Sequence, residues 1–171
     1  TDRLAEVARL HDWSAETVVV NLQGDEPLMP PPLIGQCAAL LDDRRADVAT
    51  LASPIESDAD FGNPNVVKAV VDYEGFALYF SRAPIPYARA ADPAKPARES
   101  ALHHHGIYAY RNAVLQQIVE ADRSPLEIAE QLEQLRALSL GMRIKVGIPD
   151  TRPGPGVDTE EDLRAAARLL S

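Results

Sequence analysis

Two aspartates lie where their carboxylates could bind a metal ion. Asp25 follows an apolar, β-branched run at residues 17–22, which predicts a strand buried on both faces. Gly24 allows a turn there, so Asp25 would lie at the carboxyl end of a core strand, where open α/β sheets bind ligands. Asp158 stands between a Pro/Gly-rich loop and a predicted C-terminal helix. Together they could hold Mg²⁺ with phosphate oxygens and water; alternatively, Asp25 is a solvated turn residue and Asp158 a helix N-cap.

Three further side chains could bind a polar, anionic ligand. Arg82 lies between a predicted strand and a rigid Pro-x-Pro segment, a placement suited to a guanidinium that binds a carboxylate in bidentate fashion. Glu133 and Gln134 fall in the middle of a helix that a capping box at residues 124–127 opens and Gly141 closes. Near the edge of its apolar face they could bind hydroxyl groups. The alternatives are a surface salt bridge for Arg82 and a solvated helix face for the other two.

The run His103-His104-His105 does not fit a metal site, because successive side chains of a strand point to opposite faces. His104 and Tyr108, four positions apart, share one face of a strand predicted at residues 104–110, and we expect both to contact a ligand. His103 and His105 would lie on the other side. The sequence has no P-loop, dinucleotide-binding glycine motif, zinc-ligand spacing or nucleophile elbow.

The elements that must position these groups alternate along the chain. A helix at residues 30–42 and a strand at 48–53 continue a helix–strand order typical of a parallel α/β sheet. Strands at 66–71 and 76–80, joined by a hairpin at 72–75, insert an antiparallel unit. The remaining predictions are a mobile loop at 88–100, a helix at 112–122, a strand at 143–149 and a helix from 157.

Composition and charge narrow the class of protein. The chain has 171 residues, 46% of them hydrophobic and 25% charged, which fits one globular domain over residues 1–171. A formal net charge of −9 argues against nucleic-acid binding. The single cysteine, Cys37, excludes an internal disulfide and is expected in the core. Since no apolar run reaches about 18 residues and no signal peptide is visible, we expect no membrane partner and a cytoplasmic location.

Six segments together resemble one enzyme family, the 3-deoxy-manno-octulosonate (Kdo) cytidylyltransferases, also called CMP-Kdo synthetases. They are VNLQGDEP at residues 20–27, NPNVVK at 63–68, ALYFSR at 77–82, HHGIY at 104–108, SPLE and LEQLR within 124–136, and GVDT at 156–159. The resemblance implies a nucleotide-diphospho-sugar transferase-like fold, a mixed sheet flanked by helices with an antiparallel insert. It also implies a homodimer and a Mg²⁺-dependent reaction of CTP with Kdo, giving CMP-Kdo and pyrophosphate for lipopolysaccharide synthesis.

The same resemblance assigns roles to residues. It implies that Asp25 and Asp158 bind the metal and act in catalysis together with Arg82. The residues implied to line the sugar-acid site are Gln23, Arg82, His104, Tyr108, Glu133 and Gln134. Two other functions remain open: a cytidylyltransferase for another sugar acid, such as a sialic acid, and a non-catalytic module for sugar-acid binding or dimerisation.

The start of the chain departs from the family pattern. The family opens with a strand and a Gly-rich loop whose arginine and lysine hold the CTP phosphates, whereas this sequence begins at Thr1 within a predicted helix. We therefore expect the chain to be the C-terminal two-thirds of a longer enzyme. We also expect little turnover from residues 1–171 alone.

Overall fold

The computed structural model describes residues 1–89, 97–154, 156–157 and 159–170. Its helices are α1 (Asp2–Leu10), α2 (Pro31–Ala39), α3 (Asp58–Gly62), α4 (Asn112–Glu120), α5 (Pro125–Glu130), α6 (Gln134–Ser139) and α7 (Glu160–Leu170). Its strands are β1 (Val18–Leu22), β2 (Val48–Pro54), β3 (Lys68–Val71), β4 (Ala77–Ser81), β5 (Leu102–Arg111) and β6 (Ile144–Gly147). None of the helices it describes has the length and apolar character needed to cross a bilayer.

The strands form one mixed sheet around β5. β5 pairs antiparallel with β2 along one edge and with β1 and β3 along the other. β3 continues antiparallel into β4, and β2 pairs parallel with β6. The predicted mixed α/β class is confirmed, but the parallel order inferred from the helix–strand alternation is wrong for most pairs. Alternation along the chain does not fix strand order, and β5 inserts between strands that the sequence places far from it.

Side chains of β5 alternate between two hydrophobic clusters, one on each face of the sheet. Tyr108 and Tyr110 pack in the cluster with α4 and α6, whereas Ile107 and Ala109 pack in the cluster under α2. Cys37 of α2 is fully buried there, and burial raises the pKa of its thiol to about 12. The prediction that Cys37 is a core residue is therefore confirmed.

β1 is less buried than its apolar run predicted. Of its side chains only that of Val19 is buried, and Val18 and Leu22 are exposed. The prediction of burial on both faces is wrong for this chain because, among the described strands, β1 pairs with β5 alone and lies at an edge of the sheet.

The helix predicted between residues 124 and 141 is two helices. Ser124 caps α5 as predicted, its Oγ accepting from the Glu127 N–H at 3.1 Å. The carboxylate of Glu127 does not complete the capping box; it forms a buried bidentate pair with Arg136, at 2.6 and 2.8 Å. Gln131 then adopts the left-handed conformation (φ 54°, ψ 46°) and ends α5. Glu133 and Gln134 consequently lie at the start of α6. The capping pattern predicted that they lie in the middle of one helix, and that prediction is wrong.

The connection between β3 and β4 is the predicted hairpin. Asp72 accepts hydrogen bonds from the N–H groups of Glu74 and Phe76, at 2.8 and 2.9 Å, and Gly75 has a φ of 78°. The loop predicted at residues 88–100 falls partly on residues 90–96, which lie outside the described residues. Its last part, Ala97–Ser100, is a 3₁₀ turn.

Candidate substrate site

One cleft of about 1700 Å³ gathers most of the residues that the sequence singled out. Its walls come from the turn after β1, the first half of β5, the end of β4 and the break between α5 and α6. The predicted site residues that line it are Gln23, Asp25, Arg82, His104, Tyr108, Glu133 and Gln134. Asp158 lies outside the described residues.

The turn after β1 is held directly against β5. The Gln23 N–H donates to the carbonyl of Gly106 at 2.9 Å, and the Gly106 N–H donates to Oε1 of Glu26 at 3.1 Å. A Cβ at position 106 would lie 2.4 Å from Oε1 and 3.2 Å from Cβ of Gln23. Glycine is therefore required for the Gln23 side chain to lie on β5 inside the cleft.

The loop before α7 packs on the same turn and carries the neighbours of Asp158. The N–H of Val157 donates to the carbonyl of Asp25 at 2.8 Å. A Cβ at Gly154 would lie 2.4 Å from Cβ of Leu28, so this backbone approach also requires glycine. The side chain of Asp25 is exposed at the cleft. The structure thus brings Val157, the residue before Asp158 in the sequence, to Asp25, while the shared metal site stays a prediction.

Arg82 is partly buried and is oriented by two main-chain carbonyls. Its Nε donates to Glu130 O at 2.9 Å and its Nη1 to Pro64 O at 3.1 Å. A guanidinium has five N–H donors, and these contacts use two. Within the described part of the chain, no carboxylate forms a salt bridge with it, so the remaining donors are available to an anionic ligand at the cleft wall.

His104 is a neutral imidazole whose tautomer the structure fixes. The hydroxyl of Thr50 donates its one proton to Ile107 O at 2.6 Å, so at 2.9 Å from Nε2 of His104 it can act only as an acceptor. Nε2 therefore carries the proton, and Nδ1 is left as a hydrogen-bond acceptor. Burial, with smaller contributions from His105 and His103, lowers the pKa of His104 to about 3, so it stays neutral near pH 7.

The neighbouring rings follow the predicted alternation of faces. The rings of His104 and Tyr108 lie 5.2 Å apart, and those of His103 and His105 lie 5.0 Å apart. The pKa of Tyr108 is raised well above its usual range, chiefly by burial, so its phenol remains protonated. Nε2 of His105 and the hydroxyl of Ser53 form a hydrogen bond of 2.7 Å.

The break between α5 and α6 presents two polar side chains to the cleft. Glu133 accepts a hydrogen bond from the Thr1 hydroxyl. Gln134 is only 7% exposed, and its Nε2 has no hydrogen-bond partner among the described residues. A buried donor without a partner costs about 1–3 kcal/mol, so Gln134 marks a point in the wall where a ligand acceptor would be stabilised.

Sequence reasoning missed the groups that orient the predicted ones. Thr50 is a fully buried hydroxyl flanked by Val48, Ala49, Leu51 and Ala52 in β2, and a polar residue among these apolar neighbours was the available signal. Glu130, which contacts Arg82, had no such signal, because it stands in a helix where exposed glutamates are common. Both partners lie about 50 positions from the groups they orient.

The structure is a mixed sheet flanked by helices, with a polar cleft that offers carboxylate, guanidinium, amide and neutral imidazole groups, and these groups suit the binding of a small polar anion. The family model described as "Cytidylyltransferase" matches residues 1–144. The chain belongs to the cytidylyltransferase family, and within it to the 3-deoxy-manno-octulosonate cytidylyltransferases.

Two curated relatives with that name illustrate the similarity. The protein of Nitrosococcus oceani is 49% identical over 99% of this chain and 68% of its own length. That of Xanthomonas campestris pv. campestris is 51% identical over the whole chain and 70% of its own length. The present chain thus spans about two thirds of the length of these relatives.

Solved structures agree with this placement. A structure described as CMP:2-keto-3-deoxy-manno-octonic acid synthetase complexed with CTP superposes with a TM-score of 0.85 at 42% identity, covering 99% of this chain and 66% of that one. A 4-diphosphocytidyl-2C-methyl-D-erythritol synthase has a TM-score of 0.60 at 12% identity, over 99% of this chain and 64% of that one. The second likeness concerns the fold alone.

Proposed function

We propose that the protein containing this chain transfers CMP from CTP to Kdo, giving CMP-Kdo and pyrophosphate. The observation that carries the proposal is the convergence at one cleft of Arg82, the neutral His104 and Nε2 of Gln134, which has no hydrogen-bond partner among the described residues. These groups suit a hydroxyl-rich carboxylic acid, in which one anionic group and several hydroxyls must be held at once. The names of the relatives support Kdo as that acid and CTP as the second substrate.

Each side chain in the cleft has a role in this proposal. Arg82 binds the carboxylate of the sugar acid with the N–H donors that the protein leaves available. Nδ1 of His104 accepts a hydrogen bond from a sugar hydroxyl, and Nε2 of Gln134 donates one. The side chains proposed to complete the hydroxyl contacts are those of Gln23, Tyr108 and Glu133. Fixing the sugar acid at several points orients its anomeric hydroxyl toward the nucleotide.

The proposed reaction is an in-line displacement at phosphorus. The anomeric oxygen of Kdo forms a bond to the α-phosphorus of CTP, the bond from that phosphorus to the bridging oxygen breaks, and pyrophosphate leaves. The hydroxyl proton passes to solvent water, so the step releases one proton together with pyrophosphate. What the described residues contribute is binding and orientation of the acceptor, which is the main requirement in phosphoryl-type transfers.

We propose that Asp25 and Asp158 hold Mg²⁺. Magnesium is commonly bound by one or two carboxylates together with substrate phosphate oxygens and water, and the exposed Asp25 carboxylate at the cleft fits that donor set. The contact between Val157 and Asp25 supports the participation of Asp158. No group of three or more potential ligands occurs among the described residues. When bound, the ion would neutralise charge on the phosphate oxygens.

We propose in addition that the protein works as a homodimer in the cytoplasm, on the basis of the family resemblance. β4 is an edge strand of the described sheet, and its Leu78 is 63% exposed. Sedimentation of the purified gene product would establish its oligomeric state.

The test of the proposed function is the release of pyrophosphate by the gene product that carries this chain. Release should require CTP, Kdo and Mg²⁺ together, and sialic acid should not replace Kdo. Asp25→Asn should reduce turnover by about 100-fold or more, since it removes a charge from the metal site. The matched control is Asp122→Asn, at an exposed position outside the cleft, which should leave turnover unchanged.

Three outcomes would contradict this proposal. Equal pyrophosphate release without Kdo would exclude it as the acceptor, and equal turnover with sialic acid would assign another sugar acid. Kdo binding in a calorimeter without any turnover would favour a non-catalytic sugar-acid-binding module.

A further inference from the structure

Glu130, the last residue of α5, contacts Arg82 with both its main chain and its side chain. Its carbonyl accepts from Nε of Arg82 at 2.9 Å, and its Oε2 accepts from the Arg82 main-chain N–H at 2.9 Å. Its Oε1 accepts from the hydroxyl of Ser81 at 2.6 Å. The Ser81 hydroxyl in turn accepts from the N–H of Ala83 at 3.0 Å. The carboxylate of Glu130 therefore fixes the backbone around Arg82, and the main-chain carbonyl of Glu130 holds the guanidinium itself.

The same residue is the junction between two walls of the cleft. On one side it is followed by the left-handed Gln131 and the start of α6, where Glu133 and Gln134 line the cleft. On the other it holds the end of β4. Displacement of the Glu130 carboxylate would therefore move Arg82 relative to Gln134, the two groups proposed to bind opposite parts of one small ligand.

A buried cation next to Arg82 increases the need for this carboxylate. Lys68 is fully buried, and its Nζ donates to the carbonyls of Asn63 and Val66 at 2.8 and 2.6 Å. Burial, and then the charge of Arg82, lower the pKa of Lys68, whereas the charge of Glu130 raises it. Glu130 thus supplies a negative charge that offsets the repulsion between Lys68 and Arg82.

We propose that Glu130 is a positioning residue for sugar-acid binding, which holds Arg82 at the distance and angle that let its guanidinium bind the substrate carboxylate. Glu130 does not touch the substrate in this proposal; it acts through Arg82. The inference rests on the proposed function, because it assumes that Arg82 binds the acid.

The experiment is a double-mutant cycle on the gene product that carries this chain, with the KM for Kdo and for CTP measured separately. Glu130→Gln keeps the size of the side chain but removes its charge and one acceptor. It should raise the KM for Kdo by about 5- to 10-fold and change that for CTP less than about 2-fold. In an Arg82→Ala background the same change should alter the KM for Kdo less than about 2-fold, since its route of action is already absent.

Matched variants separate this inference from general destabilisation. Glu120→Gln, at an exposed position of α4 outside the cleft, should leave both KM values unchanged. If Glu130→Gln does not fold, Ser81→Ala, which removes one hydrogen bond to the carboxylate, should produce a smaller effect with the same dependence on Arg82. The proposal would be overturned if Glu130→Gln changes the KM for Kdo equally with and without Arg82. It would also be overturned if Glu130→Gln changes the KM values for Kdo and CTP equally, or changes neither. If Arg82→Ala itself leaves the KM for Kdo unchanged, the proposed function of Arg82 is wrong instead.

Discussion

Polar groups in the cleft differ in how completely the protein satisfies them. Nε2 of His104 is paired with a hydroxyl that can only accept, so its tautomer is settled before any ligand binds. The amide nitrogen of Gln134 has no partner within the described part of the chain. A binding site that holds a donor ready in this way gives up folding stability in exchange for ligand affinity.

This difference leads to a prediction for Gln134→Met. Methionine keeps the length of the side chain and removes the Nε2 donor that has no partner among the described residues, so the free energy of unfolding without substrate should stay equal or rise by about 1 kcal/mol. Binding of Kdo should weaken, because the substrate loses a donor. Urea unfolding and calorimetric titration with Kdo would measure the two effects.

Gln116→Met provides the matched comparison. The Gln116 amide donates to Ala5 O at 3.2 Å and to Oδ1 of Asn112 at 2.9 Å. Its loss should lower the free energy of unfolding by about 1 kcal/mol and leave Kdo binding unchanged. Equal destabilisation by the two substitutions would mean that the Gln134 amide is already satisfied in the unliganded protein.

Residue types at strand ends predicted side chains that the structure gathers at one cleft, but they did not predict the partners that orient those side chains. The motifs predicted that Arg82 and His104 contact a ligand, and the structure shows that both line the cleft. Their orienting groups, Glu130 and Thr50, are 48 and 54 positions away in sequence. Such pairs depend on how strands and helices meet in space, which local spacing does not specify.

Among the elements, the turns with strong local chemistry were predictable and the helix break was not. The hairpin at 72–75 and the cap at Ser124 follow from Asp, Gly, Ser and Pro at defined positions. The break at Gln131 adopts a left-handed conformation without glycine, while Leu132 and Leu135 continue the apolar period through it. Glu130, the residue before the break, is held by hydrogen bonds from Ser81 and the Arg82 N–H, and local spacing does not specify such long-range contacts.

At the scale of elements, the turn that follows β1 packs closely against Gly106 of β5. Gly106→Ala would place a Cβ 2.4 Å from Oε1 of Gln23, so the Gln23 side chain must leave its position on β5. We expect weaker Kdo binding and a loss of about 1–3 kcal/mol in the free energy of unfolding, typical of overpacking. Calorimetric titration and urea unfolding would record both.

Gly35→Ala in α2 is the control, because a Cβ there has no atom within 4 Å among its described surroundings. Alanine is favoured over glycine inside a helix, so this variant should gain up to about 1 kcal/mol and bind Kdo normally. Unchanged binding in Gly106→Ala would show that Gln23 can reach the ligand from another position.

At the scale of the whole molecule, stability depends on pH because His104 and His105 are buried away from solvent. Burial lowers the pKa of His104 to about 3, and burial followed by the charge of His103 lowers that of His105 to about 4. In the unfolded chain a histidine has a pKa of about 6.5. Between these values the unfolded state binds a proton that the folded state does not, so stability falls as the pH falls.

Carboxylates act in a lower pH range. The pKa of Glu127 is lowered, mainly by the hydrogen bonds from Arg136, and that of Asp72 mainly by the N–H of Phe76. These two carboxylates stabilise the folded state at pH values above their pKa in the unfolded chain, which is near 4. This stabilisation is lost only as the pH falls below that pKa. Between pH 7.5 and 5 the histidines should therefore dominate, each lowering the free energy of unfolding by about 2 kcal/mol.

His105→Gln tests this dependence without altering the residues proposed to bind substrate. Glutamine retains a group that can hydrogen-bond to Ser53 but does not titrate, so the variant should lose about 2 kcal/mol less between pH 7.5 and 5 than the parent chain. Urea unfolding at several pH values gives the slope of the free energy of unfolding against pH for each protein. This slope does not depend on any pH-independent change in stability that the substitution causes. Parallel curves for His105→Gln and the parent would mean that His105 takes up its proton in the folded state as readily as in the unfolded chain.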